Sequence, residues 1–437
     1  MPIKIKLRER LRGEGLGLNP DLRFLLFVFL ASFAIIALRR PDAIFNPQFW
    51  AEDGKVFYAD AYNKSLIASL LSPWGGYLDT FPRLIAAFSQ IFPLSRAPLL
   101  FNLAALVVKV LPVTLILSSR FYGLIPDFKT RLFLAFLYLA LPNSWEINAG
   151  PLHGKTYLSL LTFMVLSASP GSHLLSLFFD AGIILLSGLS GPFCILLAPI
   201  SAIFWLHRRD KRYLVFFILI GICAIIQGTI FVTGSGRPQR LLGATPKLFV
   251  EILATQIFLG SVIGYKGLLL VSRGVLELIS HFLTLYNLIV IVFGMLGLVA
   301  LVNVMLKAPL ELRLFVLYAS LLFVAALLFP LGKPNDPQWP LMLIPGVGGR
   351  HWFIPMLAFL SVLVWSLRKS SSRISRTLAV LAFVMMVPGI ILDWQYPAFK
   401  DLNFREHVYR FESAPIGTQA TIPINPPGWT MVLTKHL

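Results

Sequence analysis

The chain has 437 residues, of which 57% are hydrophobic and only 13% are charged. Soluble proteins carry charge on about a quarter of their residues, so this composition excludes an ordinary soluble protein and predicts a polytopic membrane protein. The formal net charge is +18, but the basic residues are spread over many short segments between apolar runs. They form no single patch, which argues against a nucleic-acid partner and favours membrane lipid and other anionic partners.

The first 23 residues are rich in Lys and Arg and precede the apolar run 24–38. This pattern resembles a signal peptide, but Arg39-Arg40-Pro41 follows where a small-residue cleavage site would be needed. We therefore predict an uncleaved membrane anchor with its N-terminus in the cytoplasm.

Further apolar segments, some shorter than the roughly 20 residues of a typical span, predict an all-α protein with about eleven transmembrane helices. After the anchor they are 98–118, 132–142, 157–168, 173–189, 192–206, 213–233, 282–302, 314–331, 352–367 and 378–392.

Alternation of these spans places segments 120–131, 207–212, 307–313 and 368–376 in the cytoplasm. The last three are short and basic, as cytoplasmic loops usually are. Segments 39–97, 234–281 and 332–351 and the tail fall outside, so we expect the protein to work on its extracytoplasmic face. We divide the chain into a transmembrane domain, 1–392, which includes the first outer loop 39–97, and a small extracytoplasmic segment, 393–437.

The first outer loop contains two adjacent carboxylates, Glu52 and Asp53, in a chain with only 20 acidic residues against 38 basic ones. Ionisable groups near a membrane core are costly and usually functional, which makes this pair the leading candidate for chemistry. The alternative interpretation is the acidic first turn of a helix. Apolar periodicity predicts a surface helix over 56–71 and a second one over 82–88.

The tail predicts a helix after Asn403, with Phe404, Val408 and Phe411 on one face. Two strands, 418–424 and 429–434, should then form a hairpin around a Pro-Pro-Gly turn. This hairpin either covers the active site, binds a partner, or packs on the outer loops. Within the spans, Lys109 and Asp180 lie at similar predicted depth, so we expect them to form a structural ion pair.

Several local patterns resemble those of bacterial members of the GT-C superfamily of integral-membrane glycosyltransferases. They are Trp50-Ala51-Glu52-Asp53-Gly54, Gly75-Gly76-Tyr77 with Pro82-Arg83, Gly191-Pro192-Phe193, and Gly349-Arg350-His351-Trp352-Phe353. The order of basic anchor, large outer loop with an early acidic motif, and many spans is also similar. The resemblance implies a sugar donor on a polyprenyl phosphate or pyrophosphate, with an acid of the first outer loop as base.

We assign the base role to Asp53, because Gly54 beside it leaves room for a substrate, and keep Glu52 as the alternative. Sugar transfer also needs cations to stabilise the departing phosphate. The candidates for that role are Arg350, His351, Arg237, Arg240 and Lys155, and those for other substrate contacts are Trp50, Tyr77, Arg83 and His153. The chain has no clear second Asp-rich motif, so no metal ligand is assigned, and a divalent cation, Mg or Mn, is left open.

The sequence therefore predicts an inverting glycosyltransferase of the bacterial inner membrane, with its active site and C-terminus outside and a cell-envelope glycan or lipid as acceptor. A lipid-linked sugar flippase or other transporter is one alternative. A transporter should show repeated halves and polar residues along the midplane of several spans. The predicted spans of this chain contain few such polar residues. An O-antigen-type polymerase or ligase is the other alternative, since such an enzyme depends on outer arginines rather than on an acid.

Overall fold

The computed structural model describes residues 20–148, 150–171, 173–234, 240–277, 282–330, 335–370 and 372–436. The helices, in chain order from α1, are Pro20–Arg39, Asp42–Phe45, Ala59–Asn63, Leu66–Leu70, Thr80–Ser89, Ala97–Leu117, Phe128–Ala140, Gly154–Ser167, Leu174–Gly188, Phe193–Arg208, Lys211–Thr233, Pro246–Ile252, Gly260–Glu277, Phe282–Lys307, Leu310–Leu328, Gln338–Leu343, Gly349–Lys369, Arg373–Leu392 and Phe404–Ser413 (α19). Two antiparallel strands, β1 Gln419–Ile424 and β2 Trp429–Thr434, complete the fold.

Eight helices of the described segments are long and apolar enough to cross a membrane, which makes the protein an all-α polytopic membrane protein apart from its hairpin. Helix α17 lies at the centre, because 72% of its apolar window is buried, whereas only 17% is buried in α1 and α18 at the periphery. The predicted number of eleven spans is not confirmed. Four predicted spans correspond to α7, α8, α9 and α10, which have 13 to 16 residues and are shorter than the roughly 20 residues needed to cross hydrocarbon.

One of the eight candidates, Pro246–Ser272, lies in a stretch that the sequence placed outside. This helical segment breaks at Gly264, whose φ of 75° and ψ of −178° are not helical. The Asp393 carboxylate accepts hydrogen bonds from the backbone N–H groups of Tyr265 and Lys266 and so caps the helix that restarts there. Before its start, Gly243 lies against Pro337. The helical stretch that precedes the break at Gly264 thus contacts, at both of its ends, parts of the chain that were predicted to be outside.

Hydrogen bonds group the connecting segments into two faces of the molecule. On the first, Arg39 donates to the carbonyls of Leu139 and Trp394, and Arg40 donates to those of Asn148 and Pro397. Because the Glu52-Asp53 motif lies here, we call this the acidic-motif face.

The opposite face is formed by the helix ends that lie far from this motif. There, Arg120 donates to the Ser169 carbonyl, Arg208 contacts both the Ser167 carbonyl and Glu311, and Arg368 pairs with Asp127. These connections are the ones that the sequence predicted to be cytoplasmic.

The predicted surface helix 56–71 is wrong as a single element. Residues Asp53–Tyr58 form a π-helical turn that continues into α3, and a separate helix, α4, follows. The break falls at Lys64 and Ser65, which have extended backbone, and the Ser65 hydroxyl caps α4 by accepting from the N–H of Ala68. The second surface helix is confirmed as α5, and the tail helix and hairpin are confirmed as α19, β1 and β2.

The predicted ion pair between Lys109 and Asp180 is also wrong. Both oxygens of Asp180 accept from the guanidinium of Arg120, at 2.7 and 2.8 Å, so this carboxylate is satisfied near the opposite face. Lys109 instead lies over the ring of Tyr157, with Nζ 5.8 Å from the ring centroid. Similar depth in the sequence pattern does not fix the direction in which a helix presents a side chain around its axis.

Candidate functional site

The C-terminal hairpin holds the acidic motif in place. The backbone N–H of Ala51 donates to the carbonyl of Asn425 at 2.5 Å, and the N–H of Asn425 donates to the carbonyl of Phe49 at 3.1 Å. A Cβ atom at Gly54 would lie 3.0 Å from side-chain carbons of both Phe49 and Ile424. Gly54 therefore permits close packing of the hairpin, and the space that we expected it to leave for a substrate is filled by these two side chains.

Asp53 begins the π-helical turn and is almost fully buried, with 1% of its surface exposed. Its Oδ1 accepts a hydrogen bond from the backbone N–H of Leu152 at 3.0 Å, whereas its buried Oδ2 has no hydrogen-bond partner in the described parts of the chain. A Cβ atom at Gly150 would lie 2.1 Å from Oδ2. A side chain at position 150 would displace this oxygen, so the position requires glycine. The π-helical turn that begins at Asp53 is of a type often found at functional sites.

Burial raises the pKa of Asp53 well above its usual range, and the nearby charge of Glu52 raises it further, while the Leu152 hydrogen bond acts in the opposite direction. Glu52 differs from its neighbour because its side chain is only half-buried. It also lies within electrostatic reach of Arg350. The motif therefore combines a buried carboxyl group that resists ionisation with a more accessible acidic side chain that interacts electrostatically with both Asp53 and Arg350.

Lys155, at the start of α8, forms an ion pair with Asp79, with 2.9 Å between Nζ and Oδ1. Its ammonium group also contacts Tyr77, at 3.5 Å from the hydroxyl and 4.5 Å from the ring centroid. Asp53 lies within electrostatic reach of both members of this ion pair. The sequence analysis singled out Lys155 and Tyr77 but missed Asp79, which follows Gly75-Gly76-Tyr77 by two residues and could have been included with that pattern.

Arg350 lies in the first turn of α17 and pairs with Glu146 through its guanidinium and its backbone N–H, the latter at 3.2 Å from Oε2. About one third of the Arg350 side chain, 34%, remains exposed. His153 is buried at the start of α8, and burial together with the nearby charges of Arg350 and Lys155 holds its pKa well below its usual range. His153 is therefore neutral near pH 7 and can exchange hydrogen bonds, but it adds no positive charge.

The remaining predicted site residues lie in different settings. Arg83 is fully buried and donates to Asp60 and to the Ser69 carbonyl, which ties the surface helices together. Trp50 packs its ring on Phe399, and the ring of His351 contacts that of Trp352. Two guanidinium nitrogens of Arg240 are buried without a hydrogen-bond partner in the described chain. Arg237 lies outside the described residues.

Beside Asp53 there is also a buried lysine that the sequence assigned to another role. Lys109 is 2% exposed and, within the described residues, has no ion-pair partner. It lines a small void of about 10 Å³ together with Arg40, Asn148, Gly150 and Tyr396. Its charge acts electrostatically on both Asp53 and His153. Asp53 thus has a buried lysine within electrostatic reach in addition to Lys155.

The donor set around Asp53 does not fit a metal site built by the protein. The described residues contain no group of three or more His, Cys, Asp or Glu side chains that could hold a metal ion. Charges close to Asp53 belong instead to Glu52, Lys155 and Asp79. We therefore derive no step through a metal ion.

No protein-family profile matches this chain, and no curated protein is significantly similar to it in sequence. The case for a function accordingly stands on the residues and their geometry alone.

Proposed function

We propose that the protein is a membrane glycosyltransferase that moves a sugar from a polyprenyl-phosphate donor to a hydroxyl group of a cell-envelope glycan or lipid. The reaction takes place at the acidic-motif face, which in this proposal is the extracytoplasmic side of a bacterial inner membrane crossed eleven times. The four short helices α7 to α10 cross together with seven of the eight long candidates, and the bilayer adapts to their length. The eighth candidate, Pro246–Ser272, does not cross in this proposal, because its first part contacts segments assigned to the outer side at both of its ends.

The observation that carries the proposal is an oxygen of Asp53 that has no hydrogen-bond partner within the described residues and lies within electrostatic reach of Lys155. A buried carboxyl group without a partner on one oxygen is costly, and such groups are retained where they react. Its raised pKa suits a general base, because a catalytic base works best when its pKa approaches the pH of the reaction. Lys155 and Arg350 supply positive charge on the same face, as a departing phosphate requires.

The proposed reaction is a single displacement. The acceptor oxygen forms a bond to the anomeric carbon while the bond from that carbon to the phosphate oxygen breaks, and the phosphate leaves with the electron pair. Asp53 Oδ2 takes the proton of the acceptor hydroxyl. Because the acceptor attacks the face opposite the leaving phosphate, this single displacement inverts the anomeric configuration. Arg350, whose planar fork matches two phosphate oxygens, contacts the leaving group, and Lys155 stabilises its charge.

Substrate must reach an oxygen that is closed off in this conformation. Gly150 and Leu152 lie against Asp53, so the segment that carries them has to move away when the acceptor binds. Closure over the bound substrates would then exclude water and strengthen the electrostatic interactions at the site.

The test is transfer by the purified protein from a panel of polyprenyl-phosphate sugars, measured as loss of donor and gain of glycosylated acceptor. We expect Asp53→Asn to lose at least about a hundredfold in rate, since general base catalysis contributes 10² to 10⁴. This variant should unfold at no lower temperature than the unmodified protein, because an amide avoids the cost of burying a charge. The exposed acid Glu406 provides the matched control, Glu406→Gln, which should keep full activity.

Glu52→Gln distinguishes the two carboxylates. Retained transfer in this variant supports Asp53 as the base, whereas full activity in Asp53→Asn with loss in Glu52→Gln would assign the base to Glu52. If both variants stay fully active, neither carboxylate is the base, and an O-antigen-type polymerase or ligase that depends on arginines becomes the better hypothesis. If no donor in the panel is turned over or hydrolysed, the proposed enzyme function is wrong and lipid-linked sugar transport becomes the better hypothesis.

A further inference from the structure

A large cavity lies at the opposite face, away from the acidic motif. Its volume is about 690 Å³, and it is lined by α6, α7, α8, α15 and α17. The walls are mostly apolar, with Ile116, Leu134, Phe163 and Leu360 among them. Helices α7 and α8 have only 13 and 14 residues and belong to the short members of the bundle.

The mouth of the cavity is polar and carries an excess of positive charge. Its charged residues are Asp127, Glu311, Lys307, Arg368 and Lys369. Arg368 is neutralised by Asp127, and Glu311 is paired with Arg208 at 2.8 Å. Lys307 and Lys369 are exposed, and neither has a carboxylate at ion-pair distance within the described residues. Two lysines at the rim of an apolar cavity are thus available to an anion.

We propose that this cavity binds an anionic glycerophospholipid, with its acyl chains against the apolar walls and its phosphate headgroup between Lys307 and Lys369. The volume falls in the range of pockets that bury drug-sized ligands, 300 to 1,000 Å³, which is enough for part of the acyl chains of a lipid. The sequence predicts that these loops face the cytoplasm, where anionic lipids attract basic residues at the membrane surface.

This site is separate from the proposed catalytic site and does not depend on it. Tyr138 connects the two regions, because it lines the cavity and its hydroxyl donates to the Lys109 carbonyl at 2.6 Å. A lipid in the cavity therefore packs against the same tyrosine that contacts the helix of Lys109.

The test is photolabelling of the purified full-length protein in detergent micelles, with phosphatidylglycerol or phosphatidylcholine that carries a photoreactive group in one acyl chain. We expect phosphatidylglycerol to label peptides of α7, α8 and α17 and to label them several times more strongly than phosphatidylcholine. The double variant Lys307→Gln/Lys369→Gln should lower this labelling roughly tenfold, given the usual contribution of a basic residue near an anionic lipid. Leu360→Trp, which fills the cavity, should abolish labelling there.

The matched control is Lys129→Gln/Lys211→Gln, which removes two exposed lysines of the same face that do not line the cavity. An equal loss in this control would mean general attraction to a basic surface and would overturn the proposal. Equal labelling by the two lipids would overturn it as well. Stronger competition by a polyprenyl phosphate than by unlabelled phosphatidylglycerol would reject a glycerophospholipid as the occupant.

Discussion

At the scale of single residues, the site separates two neighbouring carboxylates by burial. Asp53 is enclosed and accepts one backbone hydrogen bond, whereas Glu52 is half-buried beside it. The two charges interact, and the like charge of Glu52 raises the pKa of Asp53. The ionisation of Asp53 therefore depends on Glu52 even if Glu52 takes no part in the reaction.

This dependence gives a prediction for the pH profile. A general base is active only when deprotonated, so activity should fall as the pH drops through the pKa of Asp53, which burial raises well above the usual carboxyl range near 4. Glu52→Gln removes the like charge and lowers the pKa of Asp53, so the acidic limb should move to lower pH. The measurement is kcat/KM against pH for the two proteins, with Glu406→Gln as control. An acidic limb that stays in place or moves to higher pH in Glu52→Gln would contradict this electrostatic coupling.

Sequence reasoning at the residue scale found Asp53, Lys155 and Arg350, because scarce charges next to apolar runs are conspicuous. It did not pair Lys155 with Asp79 or Arg350 with Glu146, because the members of each pair come from different segments and only the folded chain brings them together. The predicted pairing of Lys109 with Asp180 failed for the same reason. The fold places the guanidinium of Arg120 against Asp180, and no pattern in the sequence indicates that contact.

At the scale of elements, apolar runs predicted the helices well because burial in a bundle or in lipid needs continuous apolar segments. The hairpin was equally predictable, since Pro-Pro-Gly between two alternating segments is a strong turn signal. The break at Lys64 and Ser65 was missed because apolar periodicity continues across it, and only the Ser65 cap marks the new helix start. The helical break at Gly264 depends on Asp393, more than a hundred residues away.

Arg39 is the residue that joins the ends of two helices on the acidic-motif face. Its guanidinium, in a side chain that is 1% exposed, donates to the carbonyls of Leu139, Leu141, Asp393 and Trp394. These carbonyls lie at or beyond the C-terminal ends of α7 and α18, where backbone acceptors have no partner within the helix.

Arg39→Met should therefore lower the free energy of unfolding by roughly 3 kcal/mol, because it leaves several buried acceptors unsatisfied. Arg39→Lys should recover little, since an ammonium group cannot present the planar fork that reaches all four carbonyls. Thermal unfolding in micelles measures both, with exposed Arg405→Met as the control. A midpoint for Arg39→Met equal to that of the control would show that these hydrogen bonds do not hold the helix ends together.

At the scale of the whole molecule, the C-terminal segment packs on the first outer loop rather than standing apart from the helices. Asn425 forms hydrogen bonds through both its backbone and its side chain. Its backbone bonds to that of Phe49 and Ala51, and its buried side-chain amide forms hydrogen bonds of 2.8 and 2.9 Å with the backbone of Lys400. Asn63 adds contacts with Val432 and Thr434 on β2. The hairpin therefore sets the position of the segment that begins the acidic motif.

Asn425→Ala should loosen this connection and leave the helical bundle intact. Loss of the buried amide costs about 1 to 3 kcal/mol locally, because the two Lys400 backbone groups lose their partner. We expect faster hydrogen exchange in peptides covering 49–55 and lower transferase activity, with unchanged exchange in α6. Gln419→Ala, at the exposed start of β1, is the control. If exchange at 49–55 stays slow in Asn425→Ala, the bundle alone positions Asp53; if it rises together with a loss of activity, the hairpin is part of what keeps the carboxyl group in place.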